Sequence, residues 1–400
     1  MKGLCVIYEK YIIHIGPKEE ENHMKKKLLA LLLCLAMTLS LAACGGSQTA
    51  GVMSQVTNTS GSNDDLPVVK WKMASTWGSG NVHFTVDQRF SELVSQLTNG
   101  KFQITNYGEG EVCAASAVFD TVQDGTVQCA GDWAGYWAGK DPAFELLSTT
   151  MNLFSGLDYY VWFEQGGGIE VAQELYGQYD LVWFPILCHF SESGIRSSKP
   201  ITSIKDLQTM KTRLGGVMAG RVGQKLGFNI TTVAASELYE SLQRGVIDAG
   251  EFSGPNADST LKLEEVAKYW CEPAWYQSSG NNGVIINKAA WDALPEEYQL
   301  AIETAAAACR GEGLARYTWL DCNAANKMME EEGVTVTYMN DEDLAIIKET
   351  AAEVYEEEAA NNPNFKMVYD SMKEYCKVVD PYRGMLNNVG YGFGFTHDFE

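Results

Sequence analysis

The hydrophobic positions along the chain switch between a two-residue period and a helical period. Residues 69–73 alternate apolar and polar side chains, which predicts a half-buried strand. The next apolar positions, from Phe90 to Leu97, have helical spacing and end at Asn99-Gly100, a combination typical of a helix terminus. Residues 101–104 predict another strand and residues 115–123 another helix.

A second series with the same order follows between about residues 211 and 252. Ser236 is the predicted N-cap of its helix, and residues 246–249 predict the strand after that helix. Pro295 then opens a long helical pattern that continues to about Glu332 and stops at a glycine. More helix is predicted from residue 341 to about residue 360.

Strands that alternate with helices indicate an α/β fold with open, mostly parallel sheets. Two such series joined by crossing segments predict two lobes with a ligand cleft between them, followed by long C-terminal helices. We expect the first lobe to span residues 69–195 and to be completed by parts of residues 285–400. The second lobe is expected at residues 196–284, with the long crossing helix and the C-terminal helices in residues 285–400.

The N-terminal region has the pattern of an export signal. Three lysines after Met24 precede an apolar run at residues 28–41, which is too short for a convincing membrane span. The sequence Leu-Ala-Ala-Cys that ends at Cys44 resembles the lipobox of bacterial lipoproteins, in which the cysteine becomes the lipidated first residue. We therefore expect residues 1–43 to be a leader whose true start is Met24. Simple secretion with an unmodified Cys44 stays open as the alternative.

Residues 44–68 are expected to be a lipid anchor followed by a flexible linker, because they are rich in Gly, Ser, Thr and Asn. Acyl chains on Cys44 would hold the folded part outside the cytoplasm, close to the cell membrane.

Composition and charge narrow the possible partners. Of the 400 residues, 46% are hydrophobic and 20% are charged, which is ordinary globular composition. The 52 acidic residues outnumber the 30 basic ones and give a formal net charge of −22, which argues against a nucleic-acid partner. Seven cysteines follow Cys44, an odd number that predicts at least one free thiol. The three histidines after the leader lie far apart in sequence, so no zinc motif is present.

The sequence also contains no nucleophile, metalloprotease or phosphate-loop motif, which argues against an enzyme.

One pair of segments carries a specific resemblance. Residues 206–213 read Asp-Leu-Gln-Thr-Met-Lys-Thr-Arg, and residues 237–251 read Glu-Leu-Tyr-Glu-Ser-Leu-Gln-Arg-Gly-Val-Ile-Asp-Ala-Gly-Glu. They resemble the signature segments of the solute-binding proteins of tripartite ATP-independent periplasmic (TRAP) transporters. Five more segments extend the resemblance, which covers roughly residues 70–305: residues 136–142, 166–168, 253–255, 272–275 and 285–288. The sequence is most similar to the branch that binds 2-oxo acids, lactate or related monocarboxylates together with a metal ion.

The resemblance implies a periplasmic-binding-protein-like fold and a set of site residues. Arg213 stands at the family's signature arginine, and a guanidinium is suited to a carboxylate because it presents a rigid bidentate fork. The ligand-binding residues implied by the resemblance are Arg213, Tyr136, Trp77, Glu192 and Phe252. The implied ligands of a bridging Na⁺ or Ca²⁺ are Glu251, Phe252 through its carbonyl oxygen, and Gln277.

Three departures from the family pattern affect this site. Phe252 replaces a usual tryptophan, and Gln277 stands where the family has a glutamate. Glu192, between two serines, lies where glutamine is common, and a glutamate aimed at a ligand carboxylate is repulsive unless it is paired or binds metal. Ligand specificity is therefore expected to differ from that of better-known members.

We expect a receptor that captures a small organic carboxylate and delivers it to the membrane subunits of a TRAP permease. A homodimer is compatible with the sequence. The alternatives that stay open are the binding module of another transport or sensory system, such as an ATP-driven importer, and an exported enzyme on the same two-lobed fold.

Overall fold

The computed structural model describes residues 65–387. Its strands are β1 (Val69–Ser75), β2 (Phe102–Tyr107), β3 (Cys129–Asp132), β4 (Leu181–His189), β5 (Ile195–Ser197), β6 (Lys211–Arg213), β7 (Asn229–Ile230), β8 (Ala249–Gly250), β9 (Tyr269–Glu272), β10 (Gly280–Asn287) and β11 (Thr335–Tyr338). The predicted leader, Cys44 and most of the predicted linker lie outside these residues.

The α-helices are α1 (Phe84–Leu97), α2 (Val118–Gln123), α3 (Ala143–Ser148), α4 (Gly156–Gln165), α5 (Gly168–Gly177), α6 (Ile204–Gln208), α7 (Val217–Lys225), α8 (Leu238–Gln243), α9 (Pro255–Thr260), α10 (Leu263–Val266), α11 (Lys288–Asp292), α12 (Glu296–Glu330), α13 (Asp341–Asn361) and α14 (Pro363–Asn387). Short 3₁₀ helices lie at Ala115–Ala117, Ala134–Trp137 and Ala235–Glu237.

Most of the predicted elements are present, and their ends follow local chemistry. Helix α1 ends where Asn99 and Gly100 adopt positive φ angles of 52° and 77°. Helix α12 is 35 residues long and starts directly after Pro295, as its sequence predicts. The prediction of Ser236 as an N-cap is wrong, because this serine lies inside a 3₁₀ turn that leads into α8 without a side-chain cap.

The first sheet has the strand order β2-β1-β3-β10-β4. Strand β1 is parallel to β2 and β3, as the alternation of strands and helices predicts, whereas β10 is antiparallel to both of its neighbours. All nine residues of β4 are buried, because helices cover this sheet on both faces.

The second sheet has the order β11-β9-β5-β8-β6-β7. Strand β6 is parallel to β7 and β8, and β5 is antiparallel to β8 and β9. Each sheet is thus a parallel unit extended by antiparallel strands, which the prediction of mostly parallel sheets did not include.

The chain crosses between the two lobes several times. It passes from β4 in the first sheet to β5 in the second, and returns from β9 to β10. Helix α12 packs on β4 and α1 of the first lobe and on α9 of the second, while α13 packs on α7 and α14 on α3 and α5. The division into lobes at residue 195 stays a proposal. Strand β10, which lies in residues 280–287, belongs to the first sheet.

Two large clusters of buried apolar side chains stabilise the fold, one of them packed around Trp162 and Trp183 and the other around Phe90 and Phe102. The seven cysteines of the described region carry no disulfide among themselves. No helix within residues 65–387 is long and apolar enough to cross a membrane.

Candidate functional site

A cavity of about 450 Å³ lies between the lobes and is lined by residues of both. All seven predicted ligand- and metal-binding residues of the described region line it: Trp77, Tyr136, Glu192, Arg213, Glu251, Phe252 and Gln277. These residues are distant in sequence, so the folding of the two lobes brings them together.

Arg213 is the last residue of β6, and this position places its side chain at the edge of the second sheet that faces the cavity. Its Nη1 donates to the carbonyl oxygen of Glu251 at 2.5 Å and to Oε1 of the same residue at 2.6 Å. Its Nε lies 3.4 Å from the carbonyl oxygen of Val233. These contacts fix the guanidinium, and none of them within the described residues uses Nη2. A fixed guanidinium with a free edge can receive a carboxylate at little entropic cost.

Glu251 follows β8 and is only 1% exposed. Burial raises the pKa of its carboxyl, while the Arg213 charge and the Gly215 N–H oppose that rise. Oε1 accepts hydrogen bonds from Arg213 and from the Gly215 amide. Oε2 is buried and has no hydrogen-bond partner among the described residues. A buried carboxylate oxygen without a partner is costly, which favours a cation or a donor group from a ligand at this position.

The Gln277 side chain lies on the same side of the cavity, with Nε2 3.5 Å from the carbonyl oxygen of Gly215. The residues present fit a hard cation only in part. The free Glu251 oxygen, the Phe252 carbonyl and the Gln277 amide oxygen are suitable ligands for Na⁺ or Ca²⁺. Within residues 65–387, however, no group of three or more His, Cys, Asp and Glu side chains could hold a metal. The ligand or water would supply the remaining oxygens around a cation at this position.

Aromatic side chains form one wall of the cavity. The ring centroids of Trp77 and Tyr136 are 5.8 Å apart, and Phe252 approaches from the other lobe. The same three residues also line a second cavity of about 530 Å³ on their far side. The aromatic wall thus separates two spaces within the cleft.

The sequence reasoning missed two histidines of the cavity, His83 and His189. They are far apart in sequence, yet their ring centroids are only 6.2 Å apart. His83 Nε2 lies 3.3 Å from the Ser253 hydroxyl of the second lobe, and Nδ1 lies 3.3 Å from the Tyr317 hydroxyl. Burial, together with the His189 charge, lowers the pKa of His83 to about 3, so the ring is neutral at physiological pH.

His189 pairs with Glu192, with 3.1 Å between Nε2 and Oε1. Burial alone would lower the pKa of His189, but the charge and the hydrogen bond of Glu192 raise it overall. Because Glu192 is paired with His189, its carboxylate does not simply repel an anionic ligand. Glu192 lines the cavity, and its neighbours Ser191 and Ser193 are not among the lining residues.

Glu145 connects the lobes next to the site. Its carboxylate accepts from the amides of Val217 at 2.6 Å and Met218 at 3.1 Å, at the start of α7. Burial raises the pKa of Glu145 to about 7, while these two N–H groups oppose the rise. The contact holds α3 of the first lobe against the N-terminus of α7, directly after the Gly215-Gly216 edge of the cavity.

Comparison with known proteins identifies the family. Residues 73–362 match the family model of bacterial extracellular solute-binding proteins, family 7. A monocarboxylate 2-oxoacid-binding periplasmic protein of Nostoc sp. is 31% identical over 353 residues, which cover 88% of this chain and 96% of the relative. The chain belongs to this family.

Solved structures of TRAP transporter solute-binding proteins share the fold. The protein from Bordetella bronchiseptica, with copurified calcium and picolinate, has a TM-score of 0.76 at 28% identity and covers 82% of this chain and 98% of its own. The protein from Pseudoalteromonas atlantica, with bound sodium and pyruvate, has a TM-score of 0.75 at 26% identity and covers 80% and 98%. The predicted two-lobed α/β fold is confirmed, and so is the prediction of an extracytoplasmic TRAP solute-binding receptor.

Proposed function

We propose that this receptor binds a small monocarboxylate with a 2-oxo or 2-hydroxy group in the cavity between its lobes and delivers it to the permease subunits of a TRAP transporter. The observation that carries the proposal is the Arg213 guanidinium, which lines the cavity, is fixed by three hydrogen bonds and has no hydrogen bond at Nη2 among the described residues. The ligand classes of the Nostoc and Pseudoalteromonas proteins support the same chemistry.

We further propose that a Na⁺ or Ca²⁺ ion lies between the ligand and Glu251, with the Phe252 carbonyl and the Gln277 amide oxygen as further ligands. Support comes from the buried Glu251 Oε2 without a partner and from the calcium and sodium ions in the related structures. The ion would offset the repulsion between an anionic ligand and the Glu251 carboxylate.

The remaining residues receive simpler roles in the proposal. Trp77, Tyr136 and Phe252 enclose the apolar part of the ligand, and Glu192 contacts its polar substituent. No turnover is proposed, because binding and release by hinge motion suffice for delivery. Lipidation of Cys44 would anchor the receptor to the cell membrane beside the permease.

The proposal is tested by mass spectrometry of ligand retained after gentle purification, followed by calorimetry. The protein is freed of bound ligand by reversible unfolding and titrated with pyruvate, lactate, succinate and an uncharged amide of the same size, with Na⁺ or Ca²⁺ present. We expect binding of the monocarboxylates and none of the amide. Equal binding of the amide, or binding of succinate alone, would contradict the proposed ligand class.

A further inference from the structure

The His189–Glu192 pair is built tightly into the cavity wall. Both side chains are nearly inaccessible, at 2% and 4% exposure. They lie against the bare backbone of Gly280, where an added Cβ would come within 2.0 Å of His189 Nε2 and 2.4 Å of Glu192 Oε1. Glycine at this position of β10 therefore leaves the space that the pair occupies.

One carboxylate oxygen of the pair makes no hydrogen bond to any described residue. The His189 contact involves Glu192 Oε1, while Oε2 is buried and has no hydrogen-bond partner among the described residues. The proton between Nε2 and Oε1 can belong to either side chain. In both cases Oε2 carries no hydrogen and can only accept a hydrogen bond. Oε2 is thus a hydrogen-bond acceptor as long as the pair shares a single proton.

We propose that Glu192 Oε2 accepts a hydrogen bond from the 2-substituent of the ligand, so that the receptor selects 2-hydroxy monocarboxylates over 2-oxo monocarboxylates. This inference rests on the proposed function, in which Arg213 holds the ligand carboxylate. A hydroxyl donates to Oε2, whereas a keto oxygen has no hydrogen to donate and places two acceptors against each other. Leaving a buried acceptor unsatisfied costs more than a missing hydrogen bond.

A 2-amino acid also carries a donor but is the weaker candidate. Its ammonium group would compete with the cation proposed beside Glu251. The neutral hydroxyl satisfies Oε2 without adding a charge. The 2-hydroxy acid is therefore the ligand class that fits both ends of the cavity.

Calorimetry with lactate, pyruvate and alanine tests the inference, since the three share a carbon skeleton. For the unmodified protein we expect lactate to bind about 10- to 100-fold more tightly than pyruvate. This is the difference in affinity expected from one hydrogen bond donated to a charged or buried acceptor, at about 1.5–3 kcal/mol. Glu192→Gln keeps the side-chain size but adds an amide donor that suits a keto oxygen. We expect this variant to lose the preference for lactate or to reverse it.

Arg213→Lys is the matched control, because it weakens both acids through the shared carboxylate and should leave the lactate-to-pyruvate ratio unchanged. Equal or tighter binding of pyruvate by the unmodified protein overturns the inference, as does tighter binding of alanine than of lactate, and neither result requires a variant to fold. An unchanged ratio in a folded Glu192→Gln protein also overturns it. If Arg213→Lys binds both acids normally, the proposed function fails instead.

Discussion

Arg213 Nη1 donates to Glu251 Oε1 across 2.6 Å. This bond joins the side chain that we assign to the ligand carboxylate with the side chain that we assign to the cation. Because the two charges are paired and nearly buried, removing either one leaves the other without its partner. A mutation of Arg213 is therefore expected to affect the proposed cation site, and a mutation of Glu251 is expected to affect binding of the ligand carboxylate.

Replacement of Arg213 by Ala should weaken binding of the monocarboxylate by roughly 30-fold to several thousand-fold. The physical reason is the loss of the partner of a desolvated carboxylate, which costs about 2–5 kcal/mol. Calorimetry on the folded variant measures the change. Unchanged affinity would remove Arg213 from the binding site.

Replacement of Glu251 by Gln tests whether the site holds a cation. If Glu251 holds a cation that also contacts the ligand, the variant should bind ligand more weakly, and ion and ligand must raise each other's affinity by the same factor. Without a cation the sign reverses, since removal of a carboxylate beside an anion relieves repulsion. Titrations in Na⁺-free buffer, with and without a chelator, distinguish the two cases. Tighter binding by the variant with no dependence on ions would eliminate the proposed cation.

Ligand binding should close the cleft by rotation of the lobes about the crossing segments. We expect small-angle scattering to give a smaller radius of gyration at saturating ligand than without it. The Arg213→Ala variant at the same ligand concentration serves as the control and should not compact. Identical scattering profiles in all samples would indicate a rigid pocket.

Gly216 should be hard to replace because its φ is +86° and an added Cβ would lie 2.4 Å from Glu145 Oε1. Gly216→Ala forces the left-handed conformation on a side chain and pushes on the contact between the lobes, so we expect a loss of about 1–3 kcal/mol of stability. Gly220→Ala, inside the helix α7 that follows Gly216, meets no atom within 4 Å and should be neutral or slightly stabilising. Thermal unfolding of the two variants measures the difference, and equal unfolding temperatures would contradict the role given to this glycine.

Asp87 makes the stability of the fold dependent on pH. It is fully buried, Oδ2 accepts from the Ser75 hydroxyl at 2.6 Å, and burial raises its pKa from 3.8 to about 8, with a further contribution from Asp132. The folded state therefore favours the protonated carboxyl. The contribution of Asp87 to stability is fully present below about pH 4 and is lost as the pH rises towards 8.

Asp87→Asn removes this titration and should raise the unfolding temperature at pH 8 more than at pH 4. The gain at pH 8 should be about 1–2 kcal/mol, or roughly 1–3 °C for a protein of this size. The exposed Glu303→Gln on α12 is the control and should leave the pH profile unchanged. Equal shifts of Asp87→Asn at both pH values would show that folding does not raise the pKa of this carboxyl.

The prediction of the elements succeeded where the signal is local. The Asn99-Gly100 stop and the proline before α12 act within one or two turns, so the end of α1 and the start of α12 follow from the sequence. The start of α1 at Phe84 lies before the predicted Phe90. The predicted strand at residues 246–249 extends in the structure only over Ala249–Gly250, because pairing with β5 and β6 decides which residues join the ladder.

The sequence by itself determined the α/β class, the two β-α-β series and the family signature around Arg213 and Glu251, because these depend on periodicity and on contiguous motifs. Only the tertiary structure decided what these side chains contact. The pairing of Arg213 with Glu251 and of Glu145 with α7 joins residues on separate strands, loops and lobes. Such contacts depend on strand order, on sheet register and on the crossing of the chain between the lobes, and no pattern along the chain encodes those distances.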